Sequence, residues 1–196
     1  QESERDKQVL IQKAQKNEDY MRSKLLTQLL NGEQVSLTEE ILQNQYGITL
    51  KAGLIQPFSL KMDCEEEALG VSSVSVLMEK ALEILDRNLR EKGLDPIMEC
   101  QGFYCIGLLN YESRLQEDVR RILKNALAQM ELQKAIFKSV EFSMALGKAV
   151  RRAEELEDAG PELSRLICQR LVKGSGRILE QQENYSSLQG ERLLDK

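Results

Sequence analysis

Asp63, Glu65, Glu66 and Glu67 form the densest group of residues in this chain that could do chemistry. Oxygen ligands of this kind suit Mg²⁺, and a bound divalent ion would neutralise phosphate charge. Binding requires the ligands to converge, however, and consecutive carboxylates entering a loop mostly splay into water, as charge runs commonly do. Asp63 alone, at the end of an alternating run, has the geometry to point into a site. Gly174-Ser175-Gly176-Arg177 suggests a phosphate cradle. It lacks the flanking strand and spacing of a P-loop or dinucleotide fingerprint, and a break between two amphipathic helices uses the same residues.

Other chemistries are limited by what is missing. The chain of 196 residues contains no His, which removes Ser-His-Asp triads, Cys-His dyads, His-ligated zinc and imidazole acid–base catalysis. Cys64, Cys100, Cys105 and Cys168 show no CxxC and no metal-like spacing. They are expected as buried, reduced thiols of a reducing compartment. With 32 acidic and 27 basic residues the net charge is −5, so nucleic acid is repelled unless Lys and Arg cluster. The one basic cluster, Lys148, Arg151 and Arg152, is offset by Glu154, Glu155, Glu157 and Asp158, as on a solvated helix face. On these grounds no catalytic, cofactor-binding or metal-binding residue is assigned, no cofactor is implied, and the chain is expected not to be an enzyme.

Periodicity supplies the elements that must carry these residues. Residues 1–31 lack Gly and Pro, with Leu10, Ala14, Asn17 and Met21 in a 4-3-4 spacing that Leu25 and Leu29 continue out of phase. This predicts a long helix, either pairing with a second copy or folding back on its own domain. Asn31-Gly32 ends it, and Ser36 with Glu39 resembles a capping box for a second helix over Ile41, Leu42 and Tyr46. Leu54, Phe58, Leu60 and Met62 alternate as in a strand. Pro57 cannot donate to a ladder, so good pairing is expected from Phe58 onward, or a bulge at Pro57. A helix is predicted over 74–90 and a hairpin from Ile97-Met98-Glu99-Cys100 and residues 103–109, turning at Gln101-Gly102. A helix over 113–133, a strand over 139–146 and further helix to the Gly174 break complete the order.

The order from Leu54 is βαββαβ with C-terminal helices. The predicted fold class is therefore α+β and ferredoxin-like, an antiparallel sheet with helices on one face. The expected organisation is a linker or dimerisation helix over 1–31, an α+β domain over 32–180 and a polar tail over 181–196. No apolar run approaches the ~20 residues of a membrane helix and no signal peptide opens the chain. A cytoplasmic location is expected, and the absence of an initial Met reads as a segment of a longer protein.

Within this order, particular strings resemble the degenerate GGDEF-like regulatory domain of bacterial AraC-type response regulators. They are 102–110 (GFYCIGLLN) as hairpin, 142–147 (FSMALG) as last strand and glycine, and 170–178 (RLVKGSGRI) beyond it. The resemblance covers roughly 31–180. It implies a cyclase-like fold and a non-catalytic domain coupling an upstream receiver to a DNA-binding domain outside this chain. The implied partners are a second copy through the N-terminal helix and DNA only through that other domain, with no membrane partner and an unidentified small-molecule effector. In active cyclases of the related fold, a metal-binding carboxylate ends the first strand and a Gly-Gly-acidic-acidic turn sits in the hairpin. Asp63 corresponds to the first, leaving a vestigial nucleotide site there an open question, whereas the turn reads Glu99-Cys100-Gln101-Gly102-Phe103. Two alternatives stay open: a nucleotide-binding, cyclase-like enzyme domain using Asp63, and a small-molecule sensor with a pocket beneath the sheet or beside the C-terminal helices.

Overall fold

A computed structural model describes residues 2–31, 33, 37–51, 53–64, 71–137 and 140–181. Ser36, Glu65, Glu66, Glu67 and the tail from 182 onward, to which expectations were attached above, lie outside the described residues. The predicted order from Leu54 is present: β1 (Leu54–Asp63), α3 (Val71–Glu91), β2 (Asp95–Gln101), β3 (Tyr104–Tyr111), α4 (Gln116–Leu132) and β4 (Glu141–Leu146). Before it come α1 (Glu2–Leu30) and α2 (Glu39–Tyr46). Between α4 and β4 lies the single turn α5 (Lys134–Phe137), and after β4 come α6 (Ala159–Cys168), α7 (Arg170–Lys173) and β5 (Ile178–Glu180). Thr38 caps α2, accepting from the Ile41 N–H at 3.1 Å.

The strands form one sheet in the order β2-β3-β1-β4-β5. β1 is antiparallel to both β3 and β4, whereas β5 adds to β4 in parallel. This fifth strand corrects the prediction of continued helix: the crossover through α6 and α7 returns the chain to the sheet edge beyond Gly174. A second correction concerns the layers. Leu54, Phe58, Leu60 and Met62 face α3 and α4 in one core, while Ile55, Ile106, Leu108 and Ala145 face α1, α2 and α6 in another. Helices therefore cover both faces, because β1, β3 and β4 are apolar on both sides and neither side can be left to water. Leu25, Leu26 and Leu29 of α1 are buried in the second core.

Pro57 sits inside β1 without breaking it. The ladder to β3 runs from Leu54 to Lys61 straight through Pro57↔Leu108, and pairing to β4 begins only at Phe58↔Leu146. The Ile55 N–H donates toward the β4 side, to Val150. The donor missing two residues later thus faces the point where β4 has ended, and Gly147 there donates to the Pro57 carbonyl instead. At Gly107 a Cβ would stand 2.5 Å from the Phe58 ring and 2.7 Å from the Ile97 carbonyl oxygen. Only Gly lets the hairpin lie this close on the central aromatic side chain.

Candidate functional site

β1 delivers its last residues to the end of the sheet that carries the β2–β3 turn, Lys61 pairing with Tyr104 and Met62 donating to the Phe103 carbonyl. Side chains alternate along a strand, so Met62 enters the α3 face and Lys61 and Asp63 take the other. There Asp63 meets Arg170, the first residue of α7, whose Nε donates to both carboxylate oxygens at 3.0 and 3.1 Å. The same guanidinium donates through Nη1 to the Ile167 carbonyl at the end of α6, at 3.1 Å. Arg170 is 15% exposed and Asp63 31% exposed, so water screens this pair less than an ion pair on the open surface. The tertiary crossover brings together residues that are 107 positions apart. No local pattern at Arg170 signals its role.

Beneath this pair the Ser59 and Tyr104 hydroxyls are buried, and neither makes a well-formed hydrogen bond. Burial pushes the Tyr104 phenol up, partly offset by the neighbouring Ser59 hydroxyl. Beside Asp63 on β4, Glu141 accepts from the Ser175 hydroxyl. The Gly176 N–H donates to Ser143 at 3.1 Å.

On the opposite face, at the same end of the sheet, a cavity of about 590 Å³ opens between α3 and β2. Met78, Leu82 and Met98 floor it and Gly102 of the hairpin turn edges it. Glu79, Glu83 and Asp86 stand on its rim; Lys80 and Arg90 engage Glu83 and Asp86, whereas Glu79 has no ion-pair partner among the described residues. Gly102 takes φ 58°, as the two-residue turn requires, and Gln101 donates to Thr27 of α1 at 3.2 Å. The hairpin turn is thereby tied to the N-terminal helix.

A divalent cation does not fit the described residues as they stand. Both Asp63 oxygens are taken by Arg170, and among the described residues no three His, Cys, Asp or Glu side chains converge. We therefore derive no step through a metal. None of the cysteines forms a disulfide, and their burial is only partly as expected: Cys105 is buried, Cys64 and Cys100 are half-buried, and Cys168 is exposed because it ends α6 on the solvent side. Cys100 and Cys105 stand opposite each other across the hairpin, and the hydrogen bond with Cys100 together with burial holds the Cys105 thiol well above its ordinary range. Gly174 and Gly176, at φ 91° and 73°, break the chain between α7 and β5. Gly176 also lines a groove between α4 and β5.

No family model matches this sequence and no curated protein matches it. Similarity appears in three dimensions. The active GGEEF domain of a diguanylate cyclase from Vibrio cholerae superposes with a TM-score of 0.54 at 6% identity, over 67% of this chain and 85% of that one. An EAL/GGDEF domain protein from M. capsulatus gives 0.48 at 15% identity, over 68% and 88%. A bacterial light-regulated adenylyl cyclase gives 0.47 at 11% identity, over 72% and 48%. The chain has a GGDEF/nucleotide-cyclase-like fold. This corrects the expectation of a non-enzyme: an active cyclase domain shares the fold, so the missing His and the altered turn do not place the chain outside the enzymes. Among the described residues no helix is long and apolar enough to cross a membrane.

Proposed function

We propose that this chain is a nucleotide-binding signalling domain of the cyclase type, which takes a purine nucleotide in the cavity between α3 and β2. The observation that carries this reading is the cavity itself, beside the hairpin turn of a cyclase-like sheet. Its volume of about 590 Å³ lies within the range of small-molecule sites, and an apolar floor with few polar groups is their usual lining. Met78, Leu82 and Met98 offer a flat apolar seat for a base. The carboxylate of Glu79 offers an acceptor to the donor-rich edge of guanine. The phosphates would leave past Gly102, away from the rim carboxylates. GTP titrated by calorimetry, with and without Mg²⁺, should give saturable binding that Leu82→Trp removes by filling the cavity. Binding undiminished in Leu82→Trp, or absent from the unaltered protein, rejects the reading; liquid chromatography of the same samples reads any cyclic product.

A second reading is favoured by α1. Its residues 7–17 are exposed throughout, with Val9 48%, Leu10 65% and Ile11 57% exposed, while its far end is built into the second core. We propose that the exposed turns pair with a second copy, and that the Gln101–Thr27 contact passes the state of the pair to the hairpin turn. The sequence resemblance would make the neighbours a receiver and the DNA-binding domain of a transcription regulator. Light scattering on the chain without residues 1–17 tests the pairing: a dimer should become a monomer with the melting temperature nearly kept. A longer truncation to 31 would also remove Leu25, Leu26 and Leu29 from the core and could not separate the two effects.

A further inference from the structure

A cavity of about 660 Å³ forms a groove between α4 and β5. In a chain of net charge −5, its lining is cationic. Arg121 and Lys124 come from α4, and Lys173 and Arg177 from either side of the Gly-Ser-Gly break. Arg120 also lines it but is committed to Glu180 at 2.8 Å, and Arg121 reaches back to Asp118. Lys124 and Arg177 have no ion-pair partner among the described residues. Lys173 donates only to the neutral Gln169.

Two further carboxylates line the groove, Glu117 and Glu131. Each is seven residues from Lys124 on α4, hence about 10 Å along the helix axis in opposite directions. Glu131 also comes close to the loop, its Oε1 3.8 Å from where a Cβ on Gly176 would stand, so the groove is cationic by its excess of Arg and Lys over Glu, five to three. Gly174 has a part in this. A Cβ there would stand 3.3 Å from the Arg177 Nη2, so the guanidinium lies over a position left open by Gly. The floor between the cations is apolar, from Leu127, Ala128 and Ile178.

We propose that this groove binds a small polyanion of the phosphate class, its charge held between Lys124 and Arg177 and any apolar body resting on Leu127 and Ile178. Arg fits phosphate oxygens in a bidentate fork and Lys contributes a mobile point charge. The site lies across α4 from the cavity proposed for the nucleotide base and does not depend on it.

The probe is inorganic tripolyphosphate, titrated by calorimetry into the full chain at low salt without divalent ions. Saturable binding is expected. The double variant Lys124→Gln/Arg177→Gln should weaken it about tenfold or more, since charge-assisted hydrogen bonds are the strong ones. Leu82→Trp, which blocks the α3–β2 cavity, should leave it within about twofold. Thermal melting checks that the double variant is folded, and both residues are exposed. Three results would overturn the proposal: no binding to the unaltered chain, equal binding to the double variant, or loss of binding in Leu82→Trp with the double variant unaffected. The last places polyphosphate in the α3–β2 cavity, so this inference and the nucleotide reading fail separately.

Discussion

At the end of β1, Asp63 and Arg170 meet charge to charge, half-hidden between β1 and α7. In the groove between α4 and β5, Lys124 and Arg177 stand exposed without such a partner. The first region has settled its electrostatics within the chain, while the second has left them open to solvent and solutes. The Asp63–Arg170 pair therefore matters for holding α7 against the sheet, and the unmatched groove matters for what it can attract. Sequence order alone suggests the reverse, because Asp63 stands where a catalytic carboxylate is sought and Gly174-Ser175-Gly176 reads as a simple helix break.

The contrast can be broken by mutation. Asp63→Ala leaves Arg170 with no counter-charge in a setting that is only 15% exposed, and should lower stability in urea by about 2 kcal/mol, less than a fully buried pair would lose because water still reaches it. If Asp63→Leu combined with Arg170→Met recovers most of that loss, the cost lay in the orphaned charge; losses that add in the double variant would show that the two side chains do not act as a pair.

A pH titration separates both regions from the rest of the molecule. Tyr111, buried at the opposite end of β3 and donating to Gln56, has its phenol pushed up to about 12 by burial. The folded state keeps its proton to higher pH than the unfolded chain, which releases it near pH 10. Stability is therefore unaffected below about pH 10 and falls from there to about pH 12, by roughly 1–2 kcal/mol. Tyr111→Phe should lose that component of the alkaline decline, whereas Lys124→Gln should keep it. A decline identical in Tyr111→Phe would assign the effect elsewhere.

The smallest effect sharpens the comparison most. Lys124→Gln and Arg177→Gln, each removing an exposed and unpaired charge, should change stability by no more than about 0.5 kcal/mol in either direction. A loss comparable with that of Asp63→Ala would mean that the groove is structural, like the pair.

Much of the fold was legible because it rests on local periodicity. The alternation at Leu54–Met62, the helical stripe from Val74 to Leu85 and the hairpin around Gly102 each identify their element without reference to the others, although the turn falls one residue later than expected, at Gly102-Phe103, because Gln101 still pairs with Tyr104. The second helical layer was harder to see. Ile106, Leu108 and Ala145 are apolar in short runs that fit a strand buried on one side or on both, and only the packing of α1 and α6 decides between them. β5 was illegible because three residues after a Gly-rich break carry too little pattern. Parallel pairing with β4, supplied by the crossover, makes Ile178–Glu180 a strand.

The sequence by itself determined the order of elements from β1 to β4, the chemistry that the absence of His excludes, and the position of Asp63 at the end of a strand. Tertiary structure alone decided what Asp63 touches, that the cavity beside Gly102 lies on the other face of the sheet, and that Lys124 and Arg177 share a groove. Those relations join residues tens of positions apart. Local spacing cannot encode them, because each depends on how a crossover returns the chain to the sheet and on which face the strand pleat then presents.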